Sequence, residues 1–435
     1  MHPGARLQAS IELLDEIDRT PRPADAVISA FFRARRFIGS KDRSAVAELV
    51  YGILRRHARL AWWIARAGHA GSDGRSRIIA DEVLVRGLRG AELARLFDGG
   101  KFSPAPLSET EWTLAKALYG HTLEHPEMPE AMAVECPDWA EAPMRRALGP
   151  RFLREMEALL QPAPLDLRVN PIRGTREEAL AALRGIGIRC EPTRWSPLGI
   201  RVQGRPPLAA TEAFRTGLVE IQDEGSQLVT FVCDAKPGQQ VVDFCSGAGG
   251  KALALGAAMR GTGRLIACDV LERRLERAAE RFRRAGLHNI ETRALSSERD
   301  PWVKRHKLRF DCVLVDAPCT GTGTWRRNPD SKWRPLGPGL SELVPIQAEI
   351  LDSAARLVRP GGRLVYATCS MLPDENEDQV ARFAETHPEF EVVPLPEVWA
   401  AALGSAAPCD GPYLSLSPAR HDTDGFFAAA LRRRA

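Results

Sequence analysis

A chain of 435 residues, 44% hydrophobic and 27% charged, is long enough for roughly two to three cored domains and too apolar for wholesale disorder. The first ten residues lack the apolar core of a signal peptide, and no apolar run reaches the roughly 18 residues of a membrane span, so a cytoplasmic protein with no membrane partner is expected. The net charge is +4, and residues 1–100 hold 17 Lys and Arg against 12 Asp and Glu; this suits a polyanionic partner, although a solvated basic helix face gives the same balance.

Helical spacing of apolar residues predicts helices over 27–37, 44–67, 75–88 and 109–120, the second capped by Ser40 or Asp42. A loop rich in Pro, His and Glu follows. Its string HTLEH, His121 to His125, matches an inverzincin motif, but Gly120 and Pro126 deny it the helix that would put both histidines on one face. No metal site is expected. The nine cysteines are odd in number and contain no C-x-x-C, which argues against a disulfide framework and a zinc knuckle. Most are expected to be small buried hydrophobes in a reducing compartment.

From 138 to 230 the pattern is mixed. Residues 150–160 read as a helix and 164–172 as a strand. Residues 175–187 read as a helix with Thr175 as N-cap, and IRCEPT and GIRVQ as short strands. A small α+β module is expected here, after a helical region over 1–130.

From 231 onward strands alternate with helices. VVDF (241–244), LIACDV (265–270), FDCVLVDAP (310–318) and GRLVYATC (362–369) are apolar runs ending in polar residues, with helices near 250–260, 271–285, 343–358 and 375–386 between them. This predicts a parallel α/β sheet whose ligand lies beyond the carboxyl ends of its strands.

The first of these strands enters a glycine turn, Cys245-Ser246-Gly247-Ala248-Gly249-Gly250-Lys251, and Asp269 ends the next. Glycines there let the backbone pass close to a ligand, and the acid can accept the ribose hydroxyls of an adenosine. The spacing is not G-x-G-x-x-G. Ala252 stands where a phosphate loop needs Ser or Thr after its lysine. A nucleoside cofactor without phosphates, S-adenosyl-L-methionine, fits better. The third and fourth strands end in Asp316-Ala-Pro-Cys319 and Thr368-Cys369. If they are neighbours, two thiols share one crevice, where dipolar or cationic groups favour the nucleophilic thiolate.

These strings are similar to those of the Fmu/Sun RNA (cytosine-C5)-methyltransferases, in particular the bacterial ribosomal-RNA small-subunit methyltransferase B group. KDRSAVAELVYGILRR (41–56) resembles the family's antiterminator-like helical domain, LRVNPIR (167–173) its RNA-contacting Arg-x-Asn segment, and IQDEGSQL (221–228) the start of its catalytic domain. DAPCTGTGTWRRNPDSKWR (316–334), YATCSMLPDENE (366–377) and DGFF (424–427) resemble later motifs.

The resemblance implies an antiterminator-like helical domain over 1–130, an α+β RNA-binding module over 138–230 and a Rossmann-like class I methyltransferase domain over 231–435. It further implies that S-adenosyl-L-methionine binds at residues 245–251, Asp269 and Asp316, and that Arg168 and Asn170 contact RNA. In this family the thiol at Cys369 attacks carbon 6 of cytosine and the thiol at Cys319 promotes breakdown of the adduct, with Asp316 stabilising the electron-rich ring; DNA relatives attack from the Pro-Cys position instead. The expected RNA is 16S ribosomal RNA, with transfer RNA or a non-catalytic ribosome-assembly role as alternatives. Two departures stand out. Cys-Ser-Gly-Ala-Gly-Gly-Lys replaces the usual Cys-Ala-Ala-Pro-Gly-Gly-Lys, and Ser296 and Ser297 occupy the region where an acid is expected after the third strand.

Overall fold

A computed structural model describes residues 1–334 and 336–435. The chain forms two compact units, Met1–Gln161 with Trp325–Gly337, and Pro162–Thr324 with Pro338–Ala435.

The first unit is helical. Its core gathers the apolar stripes of Pro3–Arg19, Ala24–Ala34, Ser40–Leu54, His57–Arg66 and Gly74–Leu84, with Leu13, Ile17, Val27, Val50, Leu60 and Ile78 wholly buried. The single helix expected over 44–67 is two helices. The buried carboxylate of Glu135 accepts the backbone N–H groups of Ala58 (2.8 Å) and Arg59 (3.1 Å), satisfying donors that a continuous helix would have used internally. Gly39, not Ser40 or Asp42, precedes the first of the two; Asp42 instead binds Arg6 Nε at 2.8 Å. His121 and His125 pack on Trp63, with ring centroids 4.8 and 5.2 Å away.

Segment 325–337 belongs to this unit, although the sequence assigns it to the catalytic domain. Trp325 is wholly buried and meets Trp139 edge to face at 5.9 Å. Asp330 accepts the Ala24 amide at the start of the second helix, at 2.9 Å. Lys332 donates to the Glu135 carbonyl at 3.2 Å, and Trp139 Nε1 donates to the Lys332 carbonyl at 3.1 Å. The helices Asp138–Leu148 and Phe152–Leu160 also group with this unit.

The second unit holds two sheets. The smaller is antiparallel, formed by β1 (Leu165–Val169), β2 (Cys190–Pro192), β3 (Gly199–Val202) and β4 (Val219–Ile221) in the order β2-β3-β1-β4. The helix Arg176–Gly185 covers it, opened by a capping box between Thr175 and Glu178.

The larger sheet contains β5 (Gln240–Asp243), β6 (Arg264–Asp269), β7 (Ile290–Ala294), β8 (Phe310–Asp316), β9 (Val358–Thr368), β10 (Phe390–Val393), β11 (Leu414–Leu416) and β12 (Phe426–Arg433). The order is β10-β12-β9-β8-β5-β6-β7, with β11 paired to β12. Strands β5 to β9 are mutually parallel, and β12 returns antiparallel beside β9. Chain order runs outward from β5 through β6 to β7 on one side and through β8 to β9 on the other. The β5/β8 junction is therefore the topological switch point where a ligand crevice opens.

Candidate active site

At that switch point a crevice of about 640 Å³ is lined by Cys245, Ser246, Gly247, Ala248, Gly250, Lys251, Asp269 and Asp316, among others. Each strand delivers an acid at its carboxyl end: Asp243 from β5, Asp269 from β6 and Asp316 from β8. Asp269 organises the glycine turn, accepting the Gly247 amide at 2.9 Å through one oxygen and the Leu271 amide at 2.8 Å through the other. Lone pairs remain on both oxygens for ribose hydroxyls.

Gly249 does not line the crevice. Its φ is +79°, and a Cβ there would lie 2.7 Å from Phe282 and 2.8 Å from Ala278, so it sets the turn and the close packing of the following helix. A Cβ at Gly247 would meet nothing within 4 Å, leaving open space on the crevice side. Apolar side chains complete the rim: Val270, Leu295, Ile346 and Ile350. An acceptor for hydroxyls, open glycine backbone and an apolar wall fit an adenosine-bearing cofactor. No phosphate cradle is present around Lys251, whose Nζ instead donates to Asp316 Oδ2 at 2.7 Å.

Lys251 is buried, and its ammonium lies 5.2 Å from the ring centroid of Phe426. Burial disfavours its charge, but the attraction and hydrogen bond of Asp316 outweigh it, helped by Cys369 and Asp243, so its pKa lies above the ordinary value. Asp243 is the opposite case. Both its oxygens are buried without a hydrogen-bond partner among the described residues. Burial, reinforced by the Asp316 charge and opposed by Lys251, pushes its pKa up to about 7. Burial and the nearby acids likewise push the Cys245 thiol up.

The two cysteines at the ends of β8 and β9 come together, Cys319 Sγ and Cys369 Sγ lying 3.4 Å apart and both half-buried. Strand pairing brings their loops side by side, and local hydrogen bonds zip them. The Gly323 amide donates to the Cys369 carbonyl at 2.9 Å, and the Met371 amide to Thr322 Oγ1 at 2.8 Å. The turn before β12 closes the arrangement. The Gly425 amide donates to the Gly323 carbonyl at 2.8 Å, and a Cβ on Gly323 would sit 2.2 Å from the Gly425 carbonyl oxygen. Two glycines are needed where these backbones cross.

Arg168 and Asn170 sit on and beside the first strand of the small sheet. Both are buried, and their side chains bond within the protein. Arg168 Nη1 donates to the Gly250 carbonyl at 2.8 Å and also bonds Gln222 Oε1. Asn170 Nδ2 donates to the carbonyls of Gly217 (3.1 Å) and Ala285 (3.0 Å). These residues brace the small sheet against the two helices that follow β5 and β6. Ser296 also faces away from the cofactor position, its amide and hydroxyl both bonding Asp300 Oδ2; Leu295 and Glu298 line the crevice there. The sequence reading missed Gln222, Val270, Ile346 and Glu298 as lining residues. For Val270 the available signal was an apolar residue directly after the strand-end acid Asp269.

Comparison with known proteins agrees with this geometry. A family model described as 16S rRNA methyltransferase RsmB/F matches residues 230–432, and one for the ferredoxin-like domain of RsmF/B-like methyltransferases matches residues 136–209. Over 414 residues the chain is 29% identical to the ribosomal RNA small subunit methyltransferase B of Photorhabdus laumondii, covering 91% of this chain and 92% of that protein. The same identity and coverage hold for the protein so named in Salmonella paratyphi B. A crystal structure named PH0851 superposes with a TM-score of 0.80 at 25% identity, covering 100% of this chain and 99% of that one. A methyltransferase homologue from Pyrococcus horikoshii superposes with a TM-score of 0.59 at 28% identity, covering 71% and 100%.

Proposed function

The chain belongs to the RsmB/F, or Fmu/Sun, family of RNA methyltransferases, and from that premise we propose that it methylates carbon 5 of a cytosine in small-subunit ribosomal RNA through a covalent cysteine–cytosine adduct. The observation that carries this reading is the pair of thiols 3.4 Å apart beyond two neighbouring strands, beside the Lys251–Asp316 ion pair that also lines the cofactor crevice.

S-adenosyl-L-methionine, when bound, supplies an electrophilic methyl group; the loop from Cys245 to Lys251, Asp269 and the apolar rim would hold it. Every other task falls to side chains of this protein. Carbon 5 of cytosine is a weak nucleophile. Addition of the Cys369 thiolate at carbon 6 moves electron density onto carbon 5, which is then able to accept a methyl group. Asp316, tied to Lys251, offers a fixed charge pair to the ring as its electron density rises. After methyl transfer the carbon 5 proton leaves to a base, the carbon 5–carbon 6 double bond re-forms, and the electron pair of the C–S bond returns to Cys369. Cys319, next to that sulfur, assists the release. An RNA substrate of this kind also places the protein in the cytoplasm. Among the described residues no group of side chains is arranged to hold a metal ion, and no helix is long and apolar enough to cross a membrane.

The test is methyl incorporation. Purified protein incubated with small-subunit ribosomal RNA and radiolabelled cofactor should label RNA at a single cytosine that resists bisulfite conversion. Label in transfer RNA but not in ribosomal RNA would move the substrate, and no label in either would remove the enzymatic reading.

A further inference from the structure

Two thiols 3.4 Å apart cannot both ionise readily, because each thiolate repels the next. The pair therefore shares a proton, and something must decide which sulfur keeps it. The surroundings of the two are unequal. The charge of Cys369 is one of the groups that supports the ammonium of Lys251. Cys319 precedes Thr320, which binds an acid. Glu375 is wholly buried, and its carboxylate is gripped by the loop that carries Cys319. Its Oε1 accepts the Thr320 amide at 2.8 Å and Gln347 Nε2 at 2.9 Å, and its Oε2 accepts the Thr320 hydroxyl at 2.5 Å. Three donors and no acceptor is the pattern of an ionised carboxylate.

We propose that Glu375 fixes the order of the two thiols: its buried negative charge beside the Cys319 loop keeps the proton on Cys319 and leaves Cys369 as the sulfur that attacks. This rests on the two-thiol reading above and adds the group that separates the roles. The other groups around Cys319 are Cys369, the Gly321 amide and the Tyr366 ring, whose hydroxyl donates to the Glu375 carbonyl at 2.7 Å. Contact with Cys369, burial and the Glu375 charge together hold the Cys319 thiol well above its ordinary range, against the opposing Gly321 amide. With Cys319 as S–H, its hydrogen points to the Cys369 sulfur and supports the thiolate there, while the proton of Cys369 goes to solvent. Asn376, next in sequence, holds the other loop, donating to the Ser370 carbonyl at 3.0 Å and accepting from Thr368 Oγ1 at 2.5 Å. Adjacent residues thus position both sulfurs, but only Glu375 contributes charge.

Glu375→Gln is close to a pure charge deletion. The amide oxygen can keep both N–H donors of Oε1, and the amide nitrogen can donate to the Thr320 hydroxyl, which also accepts. The experiment is the initial rate of iodoacetamide alkylation of each cysteine against pH, read by peptide mass spectrometry on the full chain without RNA or cofactor. In the unsubstituted protein Cys369 should react with a lower pH midpoint than Cys319. In Glu375→Gln the Cys319 midpoint should fall by about one unit, raising its rate near neutral pH about tenfold, with the high-pH plateau unchanged. Glu375→Asp should restore a midpoint close to that of the unsubstituted protein. Three results would each overturn the proposal: a Cys319 midpoint below that of Cys369 in the unsubstituted protein, identical profiles for Glu375→Gln, or a rate rise of equal size at every pH, which signals altered access. The first of these needs no variant to fold. Because neither RNA nor cofactor is present, failure here is separable from failure of the covalent reading itself.

Discussion

Asp269 is a side chain that shapes the turn and lines the crevice as well. Its carboxylate already ties the Gly247 and Leu271 amides, so it shapes the glycine turn before any ribose arrives. Asp269→Ala removes a charged acceptor, at a cost of about 1.5–3 kcal/mol in binding, and should weaken cofactor affinity at least about tenfold. Calorimetry with S-adenosyl-L-methionine alone measures this; unchanged affinity would take Asp269 out of the site. Asp243 makes a different contribution, through pH. Its folded pKa of about 7 lies above its ordinary 3.8, so folding takes up a proton between those values. The resulting stability is complete below about pH 4 and is lost as pH rises through 7. Asp243→Asn cannot ionise, so its unfolding free energy in urea should decline less between pH 5 and 8 than that of the unsubstituted protein. An equal decline would mean that Asp243 is ionised in the folded state at neutral pH. Strand-end acids of this sort were legible in the sequence because an apolar run ending in Asp has few other readings. The intramolecular partners of Arg168 and Asn170 were not legible, because a polar side chain on a strand looks the same in sequence whether it meets RNA or a buried carbonyl; the three-dimensional structure supplies Gly250 and Ala285 as partners.

The strand-helix alternation from β5 to β9 was legible as an element pattern because buried parallel strands read as continuous apolar runs. Four strands of this sheet escaped, β7, β10, β11 and β12, and two of them show why. β7 is mostly exposed along Ile290–Ala294, and β12 carries three successive alanines that favour helix as much as strand. The break in the helix after Leu54 also escaped, since the group that caps the next helix, Glu135, lies far along the chain. At the same scale the small sheet and the cofactor turn are joined by one buried guanidinium. Arg168 loses solvation, and burial lowers its pKa to about 10, yet it holds the Gly250 carbonyl at the head of the helix that follows the turn. Arg168→Met should therefore weaken cofactor binding several-fold in the absence of RNA, by freeing that helix start. If calorimetry instead shows normal cofactor binding while RNA binding falls in a filter assay, Arg168 is an RNA contact after all.

On the scale of the whole molecule, the sequence places WRRNPDSKW in the catalytic domain because it follows the Cys319 loop without interruption. Physically it completes the helical unit, with Trp325 in its core and Asp330 capping the helix at Ala24. A chain beginning at Pro162 therefore keeps an orphaned apolar segment and should aggregate. The same shortened chain with residues 325–337 replaced by a Gly/Ser linker of equal length should stay monomeric and bind cofactor. It should bind RNA more weakly and with a shallower dependence on salt, because the basic region over residues 1–100 is gone; equal salt slopes for the shortened and full chains would show that the helical unit does not meet phosphate. The division of labour between the two thiols is the claim on which the rest depends, and a denaturing gel tests it most directly. The unsubstituted protein, Cys319→Ala, Cys369→Ala and the double variant are each incubated with substrate RNA and S-adenosyl-L-methionine. Cys319→Ala should accumulate a protein–RNA species that survives denaturation and requires both RNA and cofactor, while Cys369→Ala and the double variant form none. Trapping by Cys369→Ala but not by Cys319→Ala would reverse the assignment, and no trapping by either alongside normal methylation by the unsubstituted protein would contradict release through Cys319.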